Sequence, residues 1–269
     1  MRAPVLLAGL PGRMACEVAT VLAEEDAIEL LGVALGGIRA AGSVHAVGGK
    51  SFRLLGPQDR VPFDPPPGCL AVDFTTPAAA LDNIAWYVER NIPFVMGTTG
   101  FDAAKAKALV EQSRVAAVIA PNMAAPIVLI QTALEDLARR FPGALAGAEA
   151  TIRESHQASK RDTSGTARAL VRALAALGTD AREEAIESVR DPELQRGSLG
   201  IPDEHLAGHA FHRYRVGVAA GTVELVLEHN VLGRRVYAEG AARALAFLRG
   251  RVAAGARGEV FSMTDVLAG

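Results

Sequence analysis

The chain has 269 residues, half of them hydrophobic, enough to bury the core of one large domain or two modest ones. Its 28 lysines and arginines against 30 acidic residues leave a net charge of −2, so it lacks the basic field that drives binding to nucleic acid or to an acidic membrane surface. No apolar run approaches the roughly 20 residues of a membrane helix, and two cysteines, Cys16 and Cys69, are too few for a disulfide framework.

Residues 4–8 form a short apolar run that ends at Gly9. Over residues 14–24, Met14, Val18, Val21 and Leu22 fall at helical spacing. Residues 30–35 are a second buried-strand candidate, closed by Gly36-Gly37. A third covers 69–74 and leads into a helix with Leu81, Ile84, Ala85 and Val88 on one face. Residues 94–96 end at Gly97, residues 103–114 have a helical pattern, and 115–119 form another strand. Apolar strands closed by glycine or proline and separated by helices predict a Rossmann-like, doubly wound parallel sheet.

Beyond residue 125 the rhythm changes. A helix (126–140) leads to a strand (148–155), a polar loop and a second helix (166–177). Strand-like runs follow at 184–189, 210–218 and 222–229, some joined by tight turns such as Ala220-Gly221, and a last helix is expected over 238–251. The chain therefore reads as α/β, with one domain over 1–124 to which the segment 233–269 returns. The second domain, 125–232, reads as α+β with a mixed or antiparallel sheet. The N-terminal residues lack a secretory cleavage pattern. The expectation is a cytoplasmic protein, or a plastid one where a transit segment is missing from the chain.

Between the first strand and first helix stands Gly9-Leu10-Pro11-Gly12-Arg13-Met14. Glycine there permits a tight turn and lets a pyrophosphate approach the helix N-terminal N–H groups. The spacing departs from G-x-G-x-x-G, and taken alone it equally suits an unliganded strand-to-helix turn. NAD-specific proteins carry an acid at the end of the second strand for the ribose 2′-hydroxyl. Here the chain reads Gly36-Gly37-Ile38-Arg39, with no acid between Glu29 and Asp59. A guanidinium suits a 2′-phosphate, which points to NADP or dual use with Arg39 as the contact, unless Arg39 is one more surface arginine. Asp73-Phe74-Thr75-Thr76-Pro77, Gly97-Thr98-Thr99-Gly100 and Ala120-Pro121-Asn122-Met123 also follow strand ends, where open α/β sheets place ligands.

The densest polar constellation runs from Glu154-Ser155-His156-Gln157 through Lys160-Arg161-Asp162-Thr163 to Ser164-Gly165-Thr166, leaving a strand and entering a helix. His156 can exchange a proton near neutral pH. Lys160 offers a positive charge or, when desolvated, a proton. The helix opening at Ser164-Gly165-Thr166 presents N–H groups suited to a carboxylate or phosphate, reinforced by Lys160 and Arg161. A small dianionic acid fits such a place; the other reading is an ordinary N-cap with solvated charges. His205, His209 and His212 lack a cysteine or acidic partner at ligand spacing, so they read as structural or interface residues and no metal is expected. His45 and His229 carry no motif.

Taken in order, Gly9-x-x-Gly12-Arg13-Met14, Asp73-Phe74-Thr75, Gly97-Thr98-Thr99-Gly100-Phe101-Asp102, and Glu154-x-His156-x-x-x-Lys160-x-Asp162 with Ser164-Gly165-Thr166-Ala167 resemble one family nearly end to end. It is the 4-hydroxy-tetrahydrodipicolinate (dihydrodipicolinate) reductase family of lysine and diaminopimelate biosynthesis. His156-Gln157 and residues 206–212 resemble its plant-like branch. The resemblance implies NAD(P)H-dependent reduction of 4-hydroxy-tetrahydrodipicolinate with loss of water, using NADPH and also NADH. It makes His156 and Lys160 catalytic, and Gln157, Ser164, Gly165 and Thr166 contacts of the dicarboxylate. Gly9, Leu10, Pro11, Gly12, Arg13 and Met14 become cofactor contacts, with Phe74, Gly97, Thr98, Thr99, Ala120, Pro121, Asn122 and Met123, and Arg39 meets the adenosine phosphate. The first domain then binds the dinucleotide, and the second binds substrate and builds a homotetramer. The partner implied is a small heterocyclic dicarboxylate, with no nucleic acid and no membrane.

Two departures stand out: Gln157 occupies the place of a second histidine in many bacterial members, and Asp162-Thr163-Ser164 is one residue shorter than their Asp-Ala-Pro-Ser. Outside the family, the remaining readings are a two-domain dehydrogenase of the aspartate-dehydrogenase type and a non-catalytic NADP-binding sensor. His156 and Lys160 weigh against the sensor, because binding alone needs neither.

Overall fold

The computed structural model describes residues 2–218 and 221–269; Ala220 of the expected Ala220-Gly221 turn lies outside them. The chain forms two compact units. The first runs up to Ala125 and takes back Arg235–Gly269; the second is Pro126–Arg234.

The first unit contains β1 (Ala3–Leu10), α1 (Arg13–Ala23), β2 (Ile28–Gly36), β3 (Val44–Val47), β4 (Lys50–Leu55), β5 (Leu70–Asp73), α2 (Pro77–Glu89), β6 (Phe94–Met96), α3 (Ala103–Glu111) and β7 (Ala117–Ile119). From the second unit come α4 (Ala125–Arg140), β8 (Glu149–His156), α5 (Gly165–Ala176), β9 (Glu187–Val189), α6 (Pro192–Leu199), β10 (His209–Val218) and β11 (Val223–Leu232). The returning segment adds α7 (Arg235–Ala253), β12 (Val260–Phe261) and α8 (Met263–Ala268). No described helix is long and apolar enough to cross a membrane.

The sheet of the first unit has eight strands in the order β12-β7-β6-β5-β1-β2-β4-β3. Every pair is parallel except β3–β4. Helices cover such a sheet on both faces, so its central strands must be apolar on both sides. Accordingly Val5, Leu6 and Leu7 of β1, Val72 of β5 and Phe94 and Val95 of β6 are all buried. Chain order reverses at β1, flanked by β2 and β5, the topological switch point where open sheets bind ligands beyond their strand ends. The β3–β4 hairpin was not anticipated, because polar His45, Lys50, Ser51 and Arg53 mask any alternation. Its turn signal is Gly48-Gly49, both at positive φ (60° and 72°).

One buried carboxylate braces this sheet. Asp73 accepts from Asn83 Nδ2 at 2.8 Å, the Tyr87 hydroxyl at 2.8 Å, Thr75 N at 3.0 Å and Thr98 Oγ1 at 3.3 Å. These bonds tie β5 to α2 and to the loop after β6. Burial first, and then the Asp73 charge, push the Tyr87 phenol far above its ordinary range, so it serves as a fixed donor.

The second sheet has the order β11-β10-β8-β9. Its β11–β10 and β10–β8 pairs are antiparallel and β8–β9 is parallel, so the sheet is mixed. Leu170, Val171 and Leu174 of α5 pack on Ile152, Tyr214 and Val216. The strand expected over 184–189 shrinks to Glu187–Val189, because Glu183–Ala185 wind into a 3₁₀ turn. Glu183 there meets Arg172 at 2.6 Å and Arg168 at 3.7 Å, both on α5. Helix α6 was also missed, although Asp191 caps it by accepting from Glu193 N and Leu194 N, and Gly200 ends it in the left-handed region.

Helix α7 passes so close to the loop after β7 that a Cβ on Gly240 would lie 1.7 Å from the Met123 carbonyl oxygen. Gly240→Ala is therefore expected to lower stability by about 1–3 kcal/mol in urea denaturation, as overpacking against rigid backbone does. Gly250→Ala, on the same helix with nothing within 4 Å of its added Cβ, should leave stability unchanged or raise it.

Candidate active site

The sequence-derived residues fall into two groups, one in each unit. In the first unit, the loops after β1, β5, β6 and β7 leave four neighbouring strand ends. Backbone bonds lace them together: Phe74 N donates to Ala8 O at 3.0 Å, Gly97 N to Asp73 O at 3.0 Å, and Ala120 N to Met96 O at 3.1 Å. Gly9 sits at φ +110°, and a Cβ there would stand 2.3 Å from Phe74 O. Only glycine permits that approach. A Cβ on Gly12 would lie 2.7 Å from Gly9 O, and a Cβ on Gly97 would strike the Phe74 ring at 2.1 Å.

Helix α1 opens at Gly12 with no side-chain cap and no acid in its first turn. Its N-terminal dipole and N–H groups thus favour an anion. Arg13 and Met14 begin that helix, and Pro11 is exposed beside them. Leu10, Ala120 and Met123 are buried beneath the loops, so they present backbone rather than side chains. Asn122 turns its amide oxygen back to Ala124 N at 3.0 Å, and the Thr98 hydroxyl points inward to Asp73, while Thr99 and Pro121 face solvent. Arg39 is exposed on the 3₁₀ turn Ile38–Ala40 directly after β2.

In the second unit, β8 carries Glu154, Ser155 and His156 as its last three residues, all buried. Strand alternation sends Glu154 and His156 to one face and Ser155 to the other. Ser155 Oγ meets His209 Nε2 at 2.8 Å. The chain then turns, with Lys160 N donating to Gln157 O at 2.9 Å, and the Lys160 ammonium pairs with Asp162 at 2.9 Å. Ser164 is the N-cap of α5 but makes no side-chain cap, and the first turn holds no acid. The buried Ser164 instead donates its backbone N–H to Glu154 Oε2 at 3.2 Å. Gly165 is exposed and Thr166 half-buried at the helix mouth, so the ordinary capped N-terminus is not what forms here.

Glu154 has no solvent exposure. Its Oε1 accepts from Arg190 Nη2 at 2.6 Å and Ser188 Oγ at 2.8 Å. Its Oε2 meets His156 Nδ1 at 3.0 Å and His212 Nε2 at 3.8 Å. The His156 approach is oblique, meeting the distance of a hydrogen bond but not its angle, so no bond partner is assigned to that nitrogen. Desolvation alone would raise the Glu154 carboxyl; the close His156 imidazole and the bonds from Arg190 and Ser188 outweigh it and hold the group well below the usual carboxylate range.

Burial pushes His212 down to about 2 and His229 to about 4, so these two rings are neutral, and it lowers His209 as well. The acidic neighbour that spacing did not give His212 thus arrives from across the sheet. Glu154, His156 and His212 bring one ligand-type atom each within 4.8 Å of one another, while Glu154 is also held by a guanidinium, a hydroxyl and a backbone amide.

Sequence reasoning missed Arg190, Ser188 and Gln195, whose amide donates to His156 O at 2.8 Å. No motif marks them, and Arg190 is 36 residues from Glu154.

Two family models match the chain: dihydrodipicolinate reductase, N-terminus, over residues 3–123, and dihydrodipicolinate reductase, C-terminus, over residues 126–267. The 4-hydroxy-tetrahydrodipicolinate reductase 2, chloroplastic, of Arabidopsis thaliana is 37% identical over 268 residues, covering 98% of this chain and 76% of that protein. The 4-hydroxy-tetrahydrodipicolinate reductase of Rubrobacter xylanophilus is 34% identical over 273 residues, covering 98% and 97%. Among solved structures, a dipicolinate-bound dihydrodipicolinate reductase from Paenisporosarcina sp. TG-14 shares the fold at TM-score 0.66 and 20% identity, covering 97% of this chain and 98% of that one. The protein belongs to the dihydrodipicolinate reductase family.

Proposed function

We infer that the protein reduces 4-hydroxy-tetrahydrodipicolinate to tetrahydrodipicolinate with loss of water, in lysine and diaminopimelate biosynthesis, and that NADPH is its preferred cofactor. The observation that carries the reading is the pairing of two features in one chain of this family: glycine-tight strand-end loops in the first unit, and a His156–Lys160 loop opening onto an uncapped helix in the second.

When bound, the nicotinamide supplies hydride to C4 of the unsaturated ring. The chain's own residues do the rest. The N-terminus of α5, at Ser164, Gly165 and Thr166, binds one carboxylate of the substrate, and Arg161 and Gln157 lie in the loop that faces the other. Holding both carboxylates fixes the ring and removes the entropic part of the barrier. Lys160 stabilises negative charge as it develops near the ring nitrogen, and substrate takes the place of Asp162, which Lys160 contacts at 2.9 Å. His156 exchanges the proton that ends at C3, with its ring anchored on Glu154.

In the first unit, Gly9, Gly12 and the opening of α1 receive the pyrophosphate. The loops at Phe74, Gly97–Thr99 and 120–123 flank the remainder of the dinucleotide. Preference for NADPH rests on Arg39, exposed after β2 and without an ion pair among the described residues. The chain also assembles as a homotetramer: β11 is an edge strand with Val223, Leu225, Val226 and Leu232 exposed on it, an edge that soluble proteins cover. Sedimentation velocity should give a species of four chains, and a monomer at micromolar concentration would refute the assembly.

The decisive assay couples synthesis of the heterocycle from pyruvate and aspartate semialdehyde to loss of reduced-nicotinamide absorbance; wild-type protein that leaves the absorbance unchanged would overturn the assignment. Lys160→Ala is expected to cut kcat by about 10²–10³, the scale of a lost acid or charge stabiliser, while NADPH still binds in a calorimetric titration. Arg39→Asp should raise the KM for NADPH about 10- to 100-fold, the scale of one charge-assisted contact, and leave the KM for NADH nearly unchanged.

A further inference from the structure

His156 and Lys160 lie on a strand end and in a loop, and neither position is rigid by itself. A chain of short contacts links them. Arg190 follows β9 and uses its whole guanidinium: Nη2 donates to Glu154 Oε1 at 2.6 Å, Nε to Lys160 O at 2.9 Å, Nη2 also to Asp162 O at 3.3 Å, and Nη1 to Val189 O at 3.0 Å. On the other side of the same carboxylate, Glu154 Oε2 faces His156 Nδ1 at 3.0 Å. One ion pair, its carboxylate buried and its guanidinium partly exposed, therefore touches the catalytic imidazole at one end and the backbone of the catalytic lysine at the other.

We propose that Glu154 and Arg190 are positioning residues for the reductase reaction. Glu154 holds the proton of His156 on Nδ1 and leaves Nε2 as the working nitrogen. Arg190 fixes that carboxylate and, through the Lys160 and Asp162 carbonyls, the loop that presents the Lys160 ammonium. The inference rests on the reductase reading above.

The chemistry of the pair supports the role. A carboxylate behind a histidine sets its tautomer and ring orientation, as it does wherever imidazole is used as a base or a ligand. A guanidinium spreads its donors over three nitrogens in a fixed plane, so it reaches a carboxylate and separated carbonyls across a span that the single nitrogen of an ammonium does not cover. A buried pair of this kind adds little stability over well-packed apolar residues, so holding sheet and loop together does not by itself account for it. The groups that face His156 are Glu154 on its own strand, Arg190 beyond β9, and His209, His212 and His229 on β10 and β11. Burial keeps His212 and His229 neutral and lowers His209, and Glu154, 3.0 Å from the ring and paired with Arg190, is the nearest charge to it.

The test compares Glu154→Gln, Arg190→Ala and Arg190→Lys in the full-length protein by steady-state kinetics across pH, calorimetric NADPH binding, and ¹⁵N NMR of the His156 ring. Glu154→Gln is expected to lower kcat about 10- to 100-fold, the usual cost of losing such a partner, with NADPH affinity unchanged. Because a negative charge beside the imidazole is lost, the histidine limb of the pH–rate profile should move to lower pH. Arg190→Ala leaves Glu154 uncompensated, so the same limb should move to higher pH, and a loosened loop should raise the KM for the heterocycle. Arg190→Lys should restore the limb while the raised KM persists.

Limbs that stay put in both Glu154→Gln and Arg190→Ala, or move the same way, would overturn the proposal, since a purely structural role changes stability without opposite shifts. Should Glu154→Gln not fold, Arg190→Lys and the wild-type spectrum decide. A wild-type His156 ring with its proton on Nε2 overturns the proposal outright. The NMR readout needs no turnover, so it still judges the Glu154 contact if the heterocycle proves not to be the substrate.

Discussion

A carboxylate cut off from water must be answered at close range by charge and by donors. Glu154 is such a group, and the buried polar cluster of the second unit is built around it. Ser188 and Arg190 reach it from β9 and just beyond, Ser164 from the mouth of α5, His156 from its own strand, and His212 from β10. Because these partners come from β8, β9 and its end, β10 and the start of α5, satisfying one carboxylate also fixes where those elements stand. Leu170, Val171 and Leu174 supply the apolar backing on which this polar cluster rests.

The first unit is governed by a different constraint, closeness of backbone. Gly9 and Gly12 are defined by what a methyl group would strike, and the loop at Phe74 is pressed against both Gly9 and Gly97. Asp73 keeps that loop in place from below. Its location at a strand end makes it look like a ligand contact, yet it is wholly buried and faces inward. Thr98, beside it, is likewise drawn inward by its hydroxyl. Close backbone approach at Gly9, Gly12 and Gly97, with the Asp73 and Thr98 side chains turned inward, leaves main-chain groups prominent at these strand ends.

What was legible in the amino-acid order follows from these constraints. The parallel strands could be read because burial on both faces makes them continuous apolar runs, and β6 matched to the residue. The His156–Lys160 segment could be read because its chemistry is concentrated within a dozen positions. The β3–β4 hairpin was opaque because one of its faces is solvated and its residues are polar, and α6 because it is short and hydrophilic. Arg190 was opaque for a stronger reason: its meaning lies entirely in what it touches across 36 residues, and a lone arginine after a valine carries no local pattern. Glu154 was within reach. Its i,i+2 spacing from His156 places both on one face of a strand, a reading that required extending that strand one residue further than its apolar run suggested.

The first unit is not contiguous in sequence. Its edge strand β12 pairs with β7, and α7 packs on α1, yet both arrive only after the whole second unit has been made. On a ribosome adding about 5–20 residues per second, the nascent sheet waits on the order of ten seconds or more with the apolar flank of α1 uncovered. The second unit, a continuous insert, can complete itself in that interval, so the first unit closes its sheet only after the second has been made.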